Sequence, residues 1–297
     1  MMALEEDAYK VADATSDGVI PNLYNEQSEQ YLYEKEQLRP LGVDMSGLVK
    51  GKPGSSFDVF KETAFSVSQL TEGVDTPVSA LDFDKVTLVI NWYGDAKQIS
   101  KETLAVAFPF VLDSLRRGAS GALAENRDLQ ILLELANTSS DAIYPEGKDD
   151  SNITVDDTLT KKQIRLARTA LFKNKRKPHA LIIHPDQEGA LLDLPEFIDA
   201  TKYPGHVLYN GEIGKIYGFR VIVHNSVQVV MEGASSDVPV YIGFALGERP
   251  FIWAQKIDPV FEFDEEYKRK RALTFHYYEA FGVKILHDES VIPVKSA

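Results

Sequence analysis

Cysteine is absent from the 297-residue chain. That removes disulfides, thiolate nucleophiles, zinc ribbons and iron–sulfur ligation together, and it fits synthesis in a reducing cytoplasm. A surplus of positive charge is missing too. Lys and Arg number 32 against 45 Asp and Glu, a net charge of −13, so neither a nucleic-acid-binding face nor attachment to anionic membranes is expected. No apolar run approaches the roughly 18 residues needed to span a bilayer. The opening MMALEEDAYK is acidic and lacks an apolar h-region, so a secretory signal is not expected there. Internal repeats and low-complexity tracts are also lacking. What is present is the composition of an ordinary folded protein, 44% hydrophobic and 26% charged, long enough for one large or two medium domains.

Catalytic signatures are equally sparse. The stretch Tyr209–Val227, YNGEIGKIYGFRVIVHNSV, carries Gly211, Gly214 and Gly218. A phosphate loop of the Walker type requires Ser or Thr after its Lys, and here Ile216 follows Lys215. A dinucleotide fingerprint places its glycines after a strand and before a helix; these precede a strand-like run. Six histidines, His179, His184, His206, His224, His276 and His287, show no HExxH or HxH spacing, so no metal ligand set is expected. Gly118-Ala-Ser120-Gly121 is one residue short of a nucleophile elbow and lies in a helical pattern, where its serine is a small packing residue. His184-Pro185-Asp186 matches the co-chaperone tripeptide by chance, ending a buried strand and opening a helix. Glu265–Arg271 reads as a solvated turn or a salt-bridge patch between subunits. No catalytic, cofactor-binding or metal-binding residue is assigned.

The organisation along the chain is more informative. Residues 1–50 are acidic (Glu5, Glu6, Asp7, Asp13, Asp17) and show no sustained period, so this arm is expected not to fold alone. Its apolar members Tyr24, Tyr31, Leu32 and Tyr33 are candidates for docking on a neighbouring subunit. Phe57–Val67 and Lys85–Tyr93 alternate as strands around the turn-rich tip Thr71–Asp82, which includes Thr71, Asp75 and Pro77. Such a hairpin is marginal alone and needs a partner surface. In Ile99–Ala136, Ser100 reads as an N-cap with an Ile99–Leu104 staple opening a short helix. A long helix follows from about Pro109. Its stripe is read as Val111, Leu115, Ala122, Leu129 and Leu133, with Arg127 off it. Thr160-Lys-Lys-Gln163 is a capping box for a helix to about Asn174. Ala180–His184 is a short buried strand, and Asp193 with Pro195 marks another helix start. Strands at Phe219–Val227, Val238–Phe244, Phe251–Glu262, Ala272–Ala280 and Val283–Leu286 dominate the last third.

This order of parts resembles the tailed-phage major capsid proteins of the Hong Kong ninety-seven type. VTLVINWYGDAKQISKETL is similar to that family's E-loop return strand entering the helix. TALFKNKRKPHALIIHPDQEGALLDLPEFIDATKY, followed by YNGEIGKIYGFRVIVHNSV, is similar to its axial-domain core. The resemblance implies an α+β fold: an N-arm (1–50), an E-loop hairpin (51–98), a peripheral domain with a spine helix (99–145) and an axial domain (146–250). Peripheral strands and a returning C-terminal strand (251–297) complete it. The three glycines then supply turns and bind no phosphate.

The resemblance also implies a structural protein, with no enzymatic activity and no cofactor. The subunit would form hexamers and pentamers of an icosahedral head enclosing double-stranded DNA, in the virion capsid assembled in the bacterial host cytoplasm. Scaffolding, portal and decoration proteins are the implied partners; with about 50 residues before the E-loop, a separate scaffolding protein, or none, is expected. The rivals are an encapsulin nanocompartment shell with the same fold, and a soluble hydrolase using a folded histidine–carboxylate site.

Overall fold

In the computed structural model the described residues are 36–62, 65, 67, 69, 80–100, 110–192, 215–231, 238–266 and 272–297. The chain enters through a 3-10 turn at Arg39–Leu41 and a two-residue strand β1 (Val43–Asp44). A short helical turn, Ser46–Val49, leads to β2 (Ser56–Glu62), β3 (Phe83–Val89) and β4 (Asn91–Ser100). The long helix Phe110–Ala136, the capped helix Lys161–Lys173, β5 (Pro178–Ile183) and the helix Pro185–Leu192 follow. The remainder is strand: β6 (Lys215–Ile216), β7 (Phe219–Val223), β8 (Val229–Met231), β9 (Pro239–Gly247), β10 (Phe251–Glu266), β11 (Ala272–Ile285) and β12 (Val291–Ser296).

These strands form three sheets. One has the order β1-β10-β11-β4; a second runs β12-β9-β5-β7-β6 with β8 beside β9; the third is the β2–β3 hairpin. The C-terminal β12 thus returns to the second sheet by antiparallel pairing with β9. In that sheet the odd and even residues of β5 face two different cores. Ala180 and Ile182 join Phe244, Leu246, Ile131, Leu135, Phe251 and Trp253 between the two large sheets. Leu181 and Ile183 join Ile164, Ala167, Leu171 and Phe219 beneath the capped helix. A strand buried on both faces reads as a continuous apolar run, and ALII is one.

The capped helix starts where its chemistry predicts. Thr160 accepts from the Gln163 backbone N–H while the Gln163 side chain receives the Thr160 backbone N–H at 2.9 Å. Ile164, Ala167 and Leu171 are fully buried one turn apart, and burial of the Ile164 and Leu171 side chains contributes about 1.5–3 kcal/mol each. The turn between β6 and β7 answers the glycine question. Tyr217 (φ 49) and Gly218 (φ 90) link the paired Ile216 and Phe219, and two successive positive φ values define a tight hairpin turn that favours Gly at its second position. Gly211 and Gly214 lie outside the described residues.

Several sequence expectations shift. Residues 36–50, counted with the arm, pack inside this chain's own fold: Leu38 is fully buried, Leu41 and Val49 nearly so, and Val43–Asp44 pairs in parallel with Ile252–Trp253. The strand β2 stops at Glu62, leaving Phe65 and Val67 beyond it and exposed. The run read as one strand, Lys85–Tyr93, is two: β3 pairs with β2, whereas β4 crosses to pair with β11 through Ser100. Ala272–Ala280 and Val283–Leu286 merge into the single strand β11. The short helix after Ser100 and the helix from Asp193 fall outside the described residues.

The stripe of the long helix also differs in phase. Ala119, Leu123, Ile131, Leu132 and Leu135 are buried, while Leu129 and Leu133 are 38% and 46% exposed. The buried face runs through Arg127 and Asp128, two charged residues that interrupt its apolar pattern. An apolar-period reading slides off such a face toward the neighbouring leucines.

Candidate assembly surface

The β2–β3 hairpin has two chemically different faces, because register fixes which side chains share a side. Phe57 opposes Leu88, Val59 opposes Val86, and Lys61 opposes Asp84. Of these, Phe57, Val59, Val86 and Leu88 pack on Val49 of the short helical turn and on Ile252, Ala254 and Ala280 of the first sheet. The other face pairs Ser56 with Val89, Asp58 with Thr87, Phe60 with Lys85, and Glu62 with Phe83. On it Phe60 is 65% exposed, Val89 51% and Phe83 46%. Asp58 accepts from Lys85 at 2.8 Å and from Thr87 at 2.7 Å, and these hydrogen bonds, Lys85 first, hold its carboxyl below the usual range.

The hairpin's base is fastened. Lys256 donates to the Gly54 carbonyl, Lys50 grips both oxygens of Asp258 at 2.7 and 2.8 Å, and the Ile90 N–H meets the Ser55 carbonyl at 2.8 Å. A side chain on Gly282 would collide with the Val89 carbonyl, so glycine there lets β3 cross β11 closely. Beside the base, Trp92 on the edge strand β4 is 64% exposed, its ring 5.9 Å from Tyr278. Large apolar side chains displayed on a tethered hairpin and an adjoining sheet edge are the features of an interaction surface.

A second cluster fixes the chain's entry into the fold. Arg127 forks onto Glu279 through Nε (2.9 and 3.0 Å) and Nη2 (2.5 Å), and reaches Glu36 with Nη1 at 2.9 Å. Glu279 is fully buried and also accepts from Gln255 at 3.1 Å. Burial pushes the Glu279 carboxyl up, and Arg127 partly offsets this. For Arg127, burial opposes the charge but Glu279 and Glu36 outweigh it, so its pKa rises. The neighbouring Asp128 accepts the backbone N–H of Gln37 (2.8 Å) and Leu38 (3.2 Å). His224 brings Nε2 within 3.3 Å of the same carboxylate, and its Nδ1 accepts the Ser226 N–H, which leaves the ring proton on Nε2. Local sequence carries no signal for this cluster, whose partners lie 91 and 152 residues apart.

Among the described residues, neither the His224–Asp128 pair nor the His184–Asp186 pair is arranged as a hydrolytic site. His224 and Asp128 are sealed from solvent, at 0% and 1% side-chain exposure. At the surface, Tyr241 donates to Asp186 at 2.5 Å and stacks on His184 at 4.5 Å. The Asp186 bond, with some burial, pushes the phenol up to about 12. The Asp186 N–H donates to His184 Nδ1 at 3.2 Å, and Gln187 ties this turn to Ser296 of β12 at 2.8 Å. That is a hydrogen-bonded strand-to-helix turn. Among the described residues no group of three or more potential metal ligands converges, and no helix is long and apolar enough to cross a membrane.

The residues singled out from sequence for assembly, Tyr24, Tyr31, Tyr33, Thr71, Asp75 and Pro77, all lie outside the described residues. The hairpin that carries the last three is described at its base, and Phe60, Val89 and Trp92 were not singled out. For Phe60 and Val89 the signal was available: large apolar residues on the second face of an alternating strand.

A family described as phage capsid protein matches residues 84–294. No curated protein sequence matches the chain. Among solved structures, a Mycobacterium phage Che8 chain is 14% identical, covering 93% of this chain and 96% of its own, with a TM-score of 0.71. The capsid of cyanophage P-SCSP1u is 14% identical over 92% of both chains, with a TM-score of 0.72. The acid-stable capsid of Helicobacter pylori bacteriophage KHP30 is 15% identical, covering 93% and 96%, with a TM-score of 0.70.

Proposed function

The chain belongs to the phage capsid protein family, and from that premise we propose that it is the major head subunit of a tailed double-stranded DNA phage. In this reading it closes into hexamers and pentamers of an icosahedral shell. The β2–β3 hairpin is the E-loop, the long helix the spine, the first sheet the peripheral domain and the second the axial domain. Scaffolding, portal and decoration proteins are its further partners, and the shell encloses DNA after assembly in the host cytoplasm. Residues 1–35 and the hairpin tip reach neighbouring subunits, with Tyr24, Tyr31, Tyr33, Thr71, Asp75 and Pro77 among their contacts.

The observation that carries the proposal is the hairpin's divided chemistry. One face belongs to the subunit's own core, whereas the other offers Phe60, Val89 and Phe83 to solvent. Shell interfaces of this kind bury about 2,000–5,000 Å², and exposed apolar side chains on a tethered projection supply contact area without disturbing the subunit. The family match favours a phage shell over an encapsulin.

The test is electron microscopy and sedimentation of the purified protein beside Phe60→Asp/Trp92→Ser. Wild type is expected to form closed shells or capsomers. The variant is expected to remain folded, within about 0.5 kcal/mol per surface change, but to sediment as small species. A wild-type protein that stays monomeric at high concentration refutes the proposal.

A further inference from the structure

The capped helix and the turn after it form a cationic ridge on an acidic protein. Residues 161–177 (KKQIRLARTALFKNKRK) hold eight of the chain's 32 Lys and Arg and no carboxylate. Taking that +8 from the chain's −13 leaves −21 on the other 280 residues. Lys162, Arg165, Arg168, Lys173, Lys175 and Lys177 are exposed. Glu146 neutralises Lys162 at 2.5 Å, and Glu289 approaches Arg176 at 3.6 Å. Arg165, Arg168, Lys173, Lys175 and Lys177 make no ion pair among the described residues.

Local electrostatics does not account for this ridge. The helix opens on Lys161-Lys162 with no carboxylate in its first turn, although the positive end of a helix dipole favours Asp and Glu. Beyond the Glu146–Lys162 pair, the cations Arg165, Arg168, Lys173, Lys175 and Lys177 gain no ion-pair partner among the described residues, which points to a role elsewhere. Two large apolar side chains also interrupt the cations: Leu166 is 45% exposed and Phe172 48%, with Arg168 stacked 5.3 Å over the Phe172 ring. Duplex phosphates need cations alone. Cations interleaved with apolar groups suit an acidic peptide that also carries aromatic and aliphatic residues.

The chain contains such a peptide. Residues 1–35 hold eight carboxylates and two lysines, net −6, together with Tyr24, Tyr31, Leu32 and Tyr33. Resting on the assembly reading above, we infer that the cationic ridge 161–177 is the docking surface for residues 1–35 of a second copy. The topology favours a second copy over the same one. The chain enters the fold at Glu36–Leu41 within the core between the two large sheets, on the face of the second sheet opposite the capped helix. A 35-residue segment spans on the order of 100 Å when extended, so it reaches an adjacent subunit without wrapping around its own. Matching opposite charges between different patches also lets strongly acidic copies associate head to tail, as closed rings require.

The test uses shells of the full chain assembled from a mixture of isotope-labelled and unlabelled protein, treated with a zero-length carbodiimide that joins amines to carboxylates. Lys162, Lys173, Lys175 and Lys177 are expected to couple to Glu5–Asp17, Glu26, Glu29 or Glu34 in mixed-isotope pairs. The yield is expected to fall about tenfold in Arg165→Glu/Arg168→Glu, which keeps every reacting lysine, and similarly in wild type at about 1 M salt, where the Debye length is near 3 Å. Intact shells whose ridge lysines couple only within one copy, or only to carboxylates outside residues 1–35, overturn the inference. So do ridge lysines that are shielded by duplex DNA in filled shells and open in empty ones. Failure of the wild-type protein to form shells at all instead refutes the assembly reading.

Discussion

Replacing Asp128 by alanine probes the clasp that holds the chain's entry to the long helix. The carboxylate is fully buried, accepts two backbone donors, the Gln37 N–H at 2.8 Å and the Leu38 N–H at 3.2 Å, and lies 3.3 Å from His224 Nε2. Alanine leaves all three groups facing a small void. Each orphaned buried donor costs about 1–3 kcal/mol. The costs overlap, because relaxation around the site is shared, so about 3–5 kcal/mol is expected in total. At about 2–4 °C per kcal/mol for chains of 150–250 residues, the dissociated subunit should melt on the order of 10 °C lower. Asp128→Asn, which keeps one acceptor oxygen, should fall between the two. The clasp also predicts where the loss appears first. Amide exchange at Gln37 and Leu38 should accelerate before that at Leu181 or Ile182 in the second sheet. A variant that melts within about 2 °C of wild type with Leu38 still protected would refute the reasoning.

Four further outcomes follow from particular contacts. Leu38→Ala, at a fully buried core position, should destabilise the subunit by about 2–5 kcal/mol in urea titration, whereas an arm wholly external to the subunit would make it silent. Gln163→Ala should cost more than Thr160→Ala, for which about 1 kcal/mol is typical, because Gln163 also donates to the Lys295 carbonyl at 2.8 Å; equal losses would remove that link from the account. Gly282→Ala should displace β3 from β11 through the Val89 carbonyl, at about 1–3 kcal/mol, and weaken shell formation. His287 is held below its usual 6.5 by burial first, then by the nearby Arg176, Lys61 and Arg249. Its neutral form is therefore favoured in the fold, and its contribution, present above pH 6.5, is lost as pH falls through the depressed value. Urea titrations across that interval should show a smaller acid loss in His287→Gln, and an unchanged slope would contradict this.

Sequence alone determined the elements whose information is local. The Thr160–Gln163 box needs four consecutive residues, and it starts its helix as read. ALII is apolar on both faces, and it is a doubly covered strand. The order of parts from the hairpin through the long helix to the closing strands carried the family resemblance, since connectivity is a property of the sequence itself. Tertiary structure decided what depends on distant partners. Arg127 and Asp128 look like surface charge on a helical wheel, yet Glu279, Glu36 and His224 make their burial tolerable by supplying opposite charge and hydrogen bonds from far along the chain. That exchange shifted the helix's buried stripe away from Leu129 and Leu133. Likewise Leu38 and Leu41 sit in an aperiodic acidic segment, and only the gap between two sheets gives them a core. The division of the hairpin into an inner and an outer face was latent in strand alternation, but which face met the sheet depended on where β11 passed.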